Sequence, residues 1–526
     1  MHKPTDEQAA VIDAFTAGSH RIVVEAGAGA GKTSTMVYTA NAKASGRGLL
    51  VVYNRALAEE TKPRLAGSSC AVSTVHALAW RSKVAEPFTR MGGQRLKQIL
   101  PAREAAEKSG VTGAIEVDRE IGETRKNAVG DILKDWVAKY CQSDDEELSQ
   151  KHFPDGTLKE YLPLDKAKKA DQDPRWFAMV CRAYASALHG NASRLWALMS
   201  DPSGSFPTTH DVYLKLFVMS RPRLGLDYVM LDEAQDSNPL TLQLIRMIED
   251  SGAQSIYVGD THQQLYSWRG AVDAMRHIQA DVRLRLTRSF RFGPEVAEVA
   301  NVILGDLMHS DFRIVGAGKP SRIVESMPAP SAIICRTNEA AIKCALQMLA
   351  SGGKPGLCMN AKELTREVDN LERFKERGTS DARRFARFSS YDELMESINS
   401  GDAPDLKVLV KVIDDLGFDG ARRILSKIAV GKKPEEIAQS DAQTLILTGH
   451  AAKGLQFKHV LLGDDFKSSP NEQELNLLYV SATRPQDSLC LGSSDAAVDL
   501  RAAMERWRPD RSGPDTVTED QQLVPV

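Results

Sequence analysis

The sequence predicts an α/β protein with two parallel sheets flanked by helices, each sheet interrupted by a mainly helical insertion. Three observations carry this. Short unbroken apolar runs recur, among them Leu49-Leu50-Val51-Val52-Tyr53, Tyr228-Val229-Met230-Leu231, Ser255-Ile256-Tyr257-Val258 and Ser331-Ala332-Ile333-Ile334-Cys335. Such runs mark strands covered on both faces. Polar turns and helix-forming stretches follow them, as parallel strands require a crossover. Finally, Arg21-Ile22-Val23-Val24-Glu25 feeds the small-residue loop Ala26-Gly27-Ala28-Gly29-Ala30-Gly31 and then Lys32-Thr33-Ser34, the strand, loop and helix start of a phosphate-binding loop.

At 526 residues the chain exceeds a single core. The expected division is a first sheet domain over 1–80 and 206–280 with an insertion over 81–205. A second sheet domain covers 281–340 and 439–505 with a smaller insertion over 341–438, and a disordered tail spans 506–526. A net charge of −3 gives no global pull on a polyanion, so any nucleic-acid site must be a local groove. No apolar run spans a bilayer and no signal core opens the chain, so a cytoplasmic protein without a membrane partner is expected, nucleoid-associated if bacterial and in the host cytoplasm if from a phage. Seven scattered cysteines lack a C-x-x-C pair and read as reduced thiols.

Pro4-Thr5-Asp6-Glu7-Gln8 opens a helix, with Gln8 by itself an ordinary exposed glutamine. In the loop, backbone N–H groups of Ala26 to Gly31 would cradle phosphates at the helix N-terminus. Lys32 would reach the β- and γ-phosphates, and Thr33 would offer a hydroxyl to Mg²⁺. Tyr53, Asn54 and Arg55 follow a strand, where ligands of parallel sheets gather, and His76 ends a third strand-like piece. Residues 81–205 are helical, with Trp136, Trp176 and Trp196 expected in the core.

Leu231-Asp232-Glu233-Ala234-Gln235-Asp236 ends a strand in adjacent carboxylates. Asp232 can hold Mg²⁺ and Glu233 can polarise an attacking water. Further strands lead to Val258-Gly259-Asp260-Thr261-His262-Gln263 and on to Tyr266-Ser267-Trp268-Arg269-Gly270-Ala271. Leu286-Thr287-Arg288-Ser289-Phe290-Arg291, Cys335-Arg336-Thr337, Thr448-Gly449-His450-Ala451-Ala452-Lys453-Gly454-Leu455-Gln456 and Leu478-Tyr479-Val480-Ser481-Ala482-Thr483-Arg484 complete the series.

Taken together these phrases resemble superfamily 1 helicases of the UvrD/Rep/PcrA type, with Val52-Tyr53-Asn54-Arg55 and Asn476-Leu477-Leu478-Tyr479-Val480 most similar to the F-box helicase branch. The resemblance implies two RecA-like domains with ATP and Mg²⁺ between them and single-stranded DNA across their tops. By it, Gln8 reads adenine, Phe290 stacks on the base, Gln456 meets the ribose, and Gln263 senses the γ-phosphate. Arg291 and Arg484 act as arginine fingers from the second domain. Tyr53, Asn54, Arg55, His76, Tyr266, Trp268, Arg336 and His450 contact DNA. Ser34 stands where several relatives carry an Arg over adenine, so looser base discrimination is expected, and Gln456 replaces the usual Glu.

The function so implied is ATP-driven 3′-to-5′ movement on single-stranded DNA with unwinding of tailed duplex, in repair, recombination or replication. Recombination or repair proteins are candidate partners. The short second insertion favours, as an alternative, a translocase that strips proteins and unwinds little. A DNA-binding subunit gated by ATP within a larger complex is the rival from another class.

Overall fold

The computed structural model describes residues 3–43, 45–265, 274–378, 382–385, 387–388, 390–400 and 406–507. The first unit opens with helix α1 (Asp6–Thr16), begun by a capping box between Thr5 and Gln8. Strand β1 (Arg21–Ala26) runs through the phosphate loop into α2 (Lys32–Ala42). Then come β2 (Gly48–Val51), α3 (Arg55–Thr61), β3 (Cys70–Ser73) and α4 (Val75–Trp80). After the insertion, β4 (Tyr228–Leu231), β5 (Gln254–Gly259) and β6 (Val282–Leu286) finish an all-parallel sheet of order β3-β2-β4-β5-β1-β6.

The β6 strand corrects the expected boundary at 280. It pairs with β1 from Ile22↔Val282 to Ala26↔Leu286, so it closes the first sheet rather than opening the second. Its alternation of Arg and Leu marks a half-exposed edge, which fits the outermost place in the order.

The insertion is built on α5 (Lys126–Gln142), α6 (Pro174–Ser200) and α7 (His210–Met219). Trp136 and Trp176 are buried in its core, with Trp196 packed against it, as expected.

The second unit contains α8 (Pro294–Val302), β7 (Arg322–Val324), β8 (Ala332–Cys335), α9 (Asn338–Ala350), β9 (Pro355–Cys358), β10 (Ala429–Gly431), β11 (Thr444–Thr448), β12 (Phe457–Leu462), α10 (Glu472–Ala482) and β13 (Pro485–Cys490). Its parallel sheet has the order β7-β13-β12-β8-β11-β9-β10. Here β9 and β10 fall inside the stretch assigned to the small insertion, which leaves only the chain between them as insertion. Both are short and lack a β-branched run, so their strand state rests on pairing with β11 and with each other. Arg383 joins the two insertions, donating to Asp135 Oδ2 at 2.9 Å and to Thr157 Oγ1 at 3.1 Å, with Glu160 as a further partner. Residues 508–526 lie outside the described part, and a helix, Asp495–Trp507, occupies the start of the expected tail.

Candidate nucleotide cleft

The carboxyl ends of β1, β4 and β5 converge on the loop between β1 and α2. Gly29 and Gly31 both have positive φ, 76° and 79°, which a side chain would strain. A Cβ on Gly29 would also lie 2.6 Å from Ser289 Oγ and 2.7 Å from Arg291 Cβ, so the second unit presses directly on the loop.

Thr33 Oγ1 donates to Asp232 Oδ2 at 3.0 Å, and Lys32 Nζ lies 3.4 Å from Glu233 Oε1. Glu233 adopts the left-handed conformation (φ 52°), at a cost of about 1–2 kcal/mol for a residue with a Cβ. Gln235 Nε2 holds its other oxygen at 2.5 Å. Burial and the neighbouring Glu233 push the Asp232 carboxyl above the usual carboxylate range. Burial acts the same way on Glu233, but the charges of Lys32 and Lys453 outweigh it and keep that carboxyl ionised. Among the described residues no cluster of three His, Cys, Asp or Glu side chains could hold a metal alone. The hydroxyl–carboxylate pair of Thr33 and Asp232 suits Mg²⁺, whose remaining positions are filled by water and phosphate oxygens.

From the second unit, Arg291 Nη1 donates to the Thr483 carbonyl at 2.9 Å, while its buried Nε has no partner among the described residues. Burial brings its guanidinium down to about 10. Arg484 is 1% exposed and donates to the carbonyls of Val480 (2.6 Å) and Leu455 (3.3 Å) and to Thr483 Oγ1 (3.0 Å). Burial and then the Arg291 charge lower its proton affinity strongly. Two desolvated cations side by side, one with an orphan N–H, make a site that an anion would relieve.

The end of the cleft expected to meet the base is equally defined. Gln8 is 5% exposed; its Oε1 accepts the Thr5 N–H at 3.1 Å and its Nε2 donates to Thr35 Oγ1 at 3.1 Å. The exposed reading of Gln8 is thereby corrected, because its amide is committed to two helices. Phe290 is 50% exposed, and its ring lies within 4.0 Å of the position a Gly31 Cβ would take. Gln456 is exposed just ahead of β12, one residue from the Leu455 carbonyl that Arg484 holds. Ser34 accepts a bond from Arg64 Nη2 at 2.8 Å.

Four contributors, Asp260, Tyr479, Lys453 and Gln235, were not singled out from sequence. Gln263 Nε2 donates to Asp260 Oδ2 at 2.6 Å, and Tyr479 donates to the same oxygen at 3.1 Å while accepting the Ala28 N–H at 3.3 Å. Lys453 crosses the seam to Asp236 and to the Gln263 carbonyl (2.5 Å). Gln235 Oε1 accepts the Asp260 N–H at 3.1 Å. Their positions inside the quoted motifs were the available signal.

The expected DNA contacts divide. Tyr53, Asn54, Arg55 and His450 are exposed; Asn54 Oδ1 also caps α3 by accepting the Leu57 N–H at 2.9 Å. His76 Nε2 pairs with Asp211 at 2.9 Å on a partly exposed face. Arg336 is partly buried, and its guanidinium is held by Glu474 at 2.5 and 2.6 Å, a bidentate pair that fixes α10 against β8. Tyr266 and Trp268 lie outside the described residues. Trp80, 38% exposed beside Tyr213 and His210, is an aromatic the sequence reading passed over.

Residues 5–281 match the UvrD/REP helicase N-terminal domain, and residues 444–491 match the UvrD-like helicase C-terminal domain. The chain belongs to the UvrD/REP helicase family. This UvrD/REP helicase chain is 27% identical to the F-box DNA helicase 1 of Gallus gallus over 542 residues, covering 94% of the chain and 49% of that relative. It is 25% identical to the F-box DNA helicase protein 1 of Schizosaccharomyces pombe, covering 93% and 57%. A shorter match, 30% over 97 residues, joins it to the ATP-dependent DNA helicase Rep of Escherichia coli, covering 18% and 14%. The chain thus spans about half the length of the F-box relatives it matches.

Proposed function

We propose that this UvrD/REP helicase chain hydrolyses ATP with Mg²⁺ to move 3′ to 5′ along single-stranded DNA and to separate tailed duplex. The observation that carries the reading is the cleft itself: Lys32, Thr33, Asp232, Glu233 and Gln263 face Arg291 and Arg484 from the other unit around one phosphate loop.

Lys32 and the loop amides hold the triphosphate, while Thr33 and Asp232 hold Mg²⁺, which supplies charge neutralisation at the phosphate oxygens. Glu233, kept ionised by its lysines, orients the attacking water and takes its proton. Arg291 and Arg484 turn from backbone carbonyls toward the transferring phosphoryl group. Because these groups belong to different units, nucleotide favours a closed seam and product release an open one. Directional movement then requires different DNA affinity in the two states. Tyr53, Arg55, His76 and His450 offer aromatic and cationic contacts to a strand crossing the strand ends.

The name of the Rep relative supports dependence on ATP and action on DNA. Among the described residues no helix is long and apolar enough to cross a membrane. The short stretch between β9 and β10 favours a second reading, in which the motor strips proteins from DNA and unwinds little. ATPase turnover with and without single-stranded DNA, paired with unwinding of 3′- and 5′-tailed duplexes, tests the proposal. Turnover stimulated by DNA and unwinding from 3′ tails are expected, and Lys32→Ala abolishes both. Unwinding by Lys32→Ala, or from 5′ tails only, overturns it; protein displacement without unwinding favours the second reading.

A further inference from the structure

A nucleotide whose phosphates occupy the loop must send its base out past the first turn of α2. On one side of that exit stands the half-exposed Phe290 ring, close to Gly31 and Gln8. At the outer face of the same turn stands Arg64, from the short 3₁₀ helix Lys62–Leu65 that follows α3. Its guanidinium reaches Ser34 Oγ at 2.8 Å, and among the described residues no carboxylate neutralises it. The position within the helix makes this exit natural. Thr33 turns to Asp232, Thr35 turns to Gln8, and Ser34 lies between them and points away from the buried face.

We infer that Arg64 is a base-positioning residue, a guanidinium delivered from outside α2 that covers the face of the nucleobase opposite Phe290. Ser34 is its anchor: the hydroxyl holds one Nη in place while the planar group stays free to stack. A flat cation suits this role, because guanidinium stacks on π faces and is weakly hydrated, so little is lost when a base displaces water from it. The consequence reverses the expectation of loose discrimination from Ser34. The small side chain at 34 is what leaves room for Arg64, and the cleft retains a base clamp assembled from two separate elements.

The inference rests on the proposed nucleotide site, and the test separates the two. ATPase kinetics of Arg64→Ala are compared with ribose 5′-triphosphate, which lacks a base, as competitive inhibitor. The expected result is a KM for ATP raised about tenfold with kcat nearly kept, and an unchanged inhibition constant for the base-less triphosphate. The double variant Ser34→Arg with Arg64→Ala, which supplies a guanidinium from α2 itself, restores the KM. An unchanged KM in Arg64→Ala shows that the bond to Ser34 merely ties the 3₁₀ helix to α2, and overturns the inference. Equal weakening of ATP and the base-less triphosphate overturns it too, because Arg64 would then serve phosphate or the fold. Failure of Lys32→Ala to affect ATP binding overturns instead the nucleotide site on which the inference stands.

Discussion

Tyr479 donates its hydroxyl proton to Asp260 at 3.1 Å, joining a helix of the second unit to the end of a central strand of the first. The same oxygen accepts the N–H of Ala28 in the phosphate loop at 3.3 Å, so one phenol spans both halves of the cleft. Burial and the adjacent Asp260 charge hold this phenol far above the ordinary tyrosine range, so it stays protonated and can donate.

Tyr479→Phe removes the bridge and leaves a buried N–H and a carboxylate oxygen each short of a partner. A loss of about 1–2 kcal/mol is expected in the nucleotide-free protein. If a phosphate oxygen takes over the Ala28 N–H, the loss shrinks under a saturating, non-hydrolysed ATP analogue. Thermal melts of both proteins with and without the analogue check this.

Glu233→Gln keeps shape and most contacts but removes the base. Turnover is expected to fall roughly 10²–10⁴-fold with ATP binding retained. A fluorescent-nucleotide titration beside steady-state ATPase separates the two effects, and retained turnover would exclude the assigned role.

Arg291→Ala and Arg484→Ala should each lower kcat by about 10³–10⁵. Both variants are expected to bind nucleotide. Because both side chains converge on Thr483, their effects should combine far less than additively. Multiplying losses in the double variant would mean that the two guanidiniums act independently.

Among the described residues, Tyr53, Trp80 and Phe290 are the aromatic side chains prominent among the exposed apolar residues. Phe290 lies at the nucleotide end, whereas Tyr53 follows β2 and Trp80 closes the helix after β3 on the neighbouring strand. Tyr53→Ala and Trp80→Ala should each weaken single-stranded DNA binding by about 1–3 kcal/mol while leaving nucleotide affinity unchanged. Fluorescence anisotropy with a short oligonucleotide measures the first quantity.

Lys215, in the first insertion, is fully buried and donates to the carbonyls of Ser143 (2.8 Å) and Asp145 (2.5 Å) over the Tyr140 ring. Burial lowers it from its ordinary 10.5 to about 8. Between those values the unfolded chain binds the proton that the folded chain has released, so this group's contribution to stability rises with pH across that window. Denaturant melts at pH 7.5, 9 and 10 should therefore show the wild type gaining on Lys215→Met as pH rises. A constant difference would mean that the lysine titrates alike in both states.

Much of this architecture was legible because its signals are local. The phosphate loop declares itself through Gly and Ala ahead of Lys32, the central strands through unbroken apolar runs, and α1 through the Pro4-Thr5-Asp6-Glu7-Gln8 opening. The site residues in those motifs could be named one by one, since each belongs to a short phrase whose chemistry is carried by residue type and spacing.

What only the tertiary structure decided are relations between residues far apart in the chain. The places of β6, β9 and β10 depend on which neighbour supplies their hydrogen bonds; β6 and β10 are edges that need little apolar patterning, and β9 is short and paired on both sides. The pairing of Arg336 with Glu474 joins residues 138 positions apart, and nothing near Arg336 in the chain announces it. Tyr479, Lys453 and Arg64 carry no periodic signal, because each acts through one or two side-chain bonds across the seam or between helices. Sequence therefore determined the parts of the cleft; the partners their polar side chains find on burial determined how the two units meet around it.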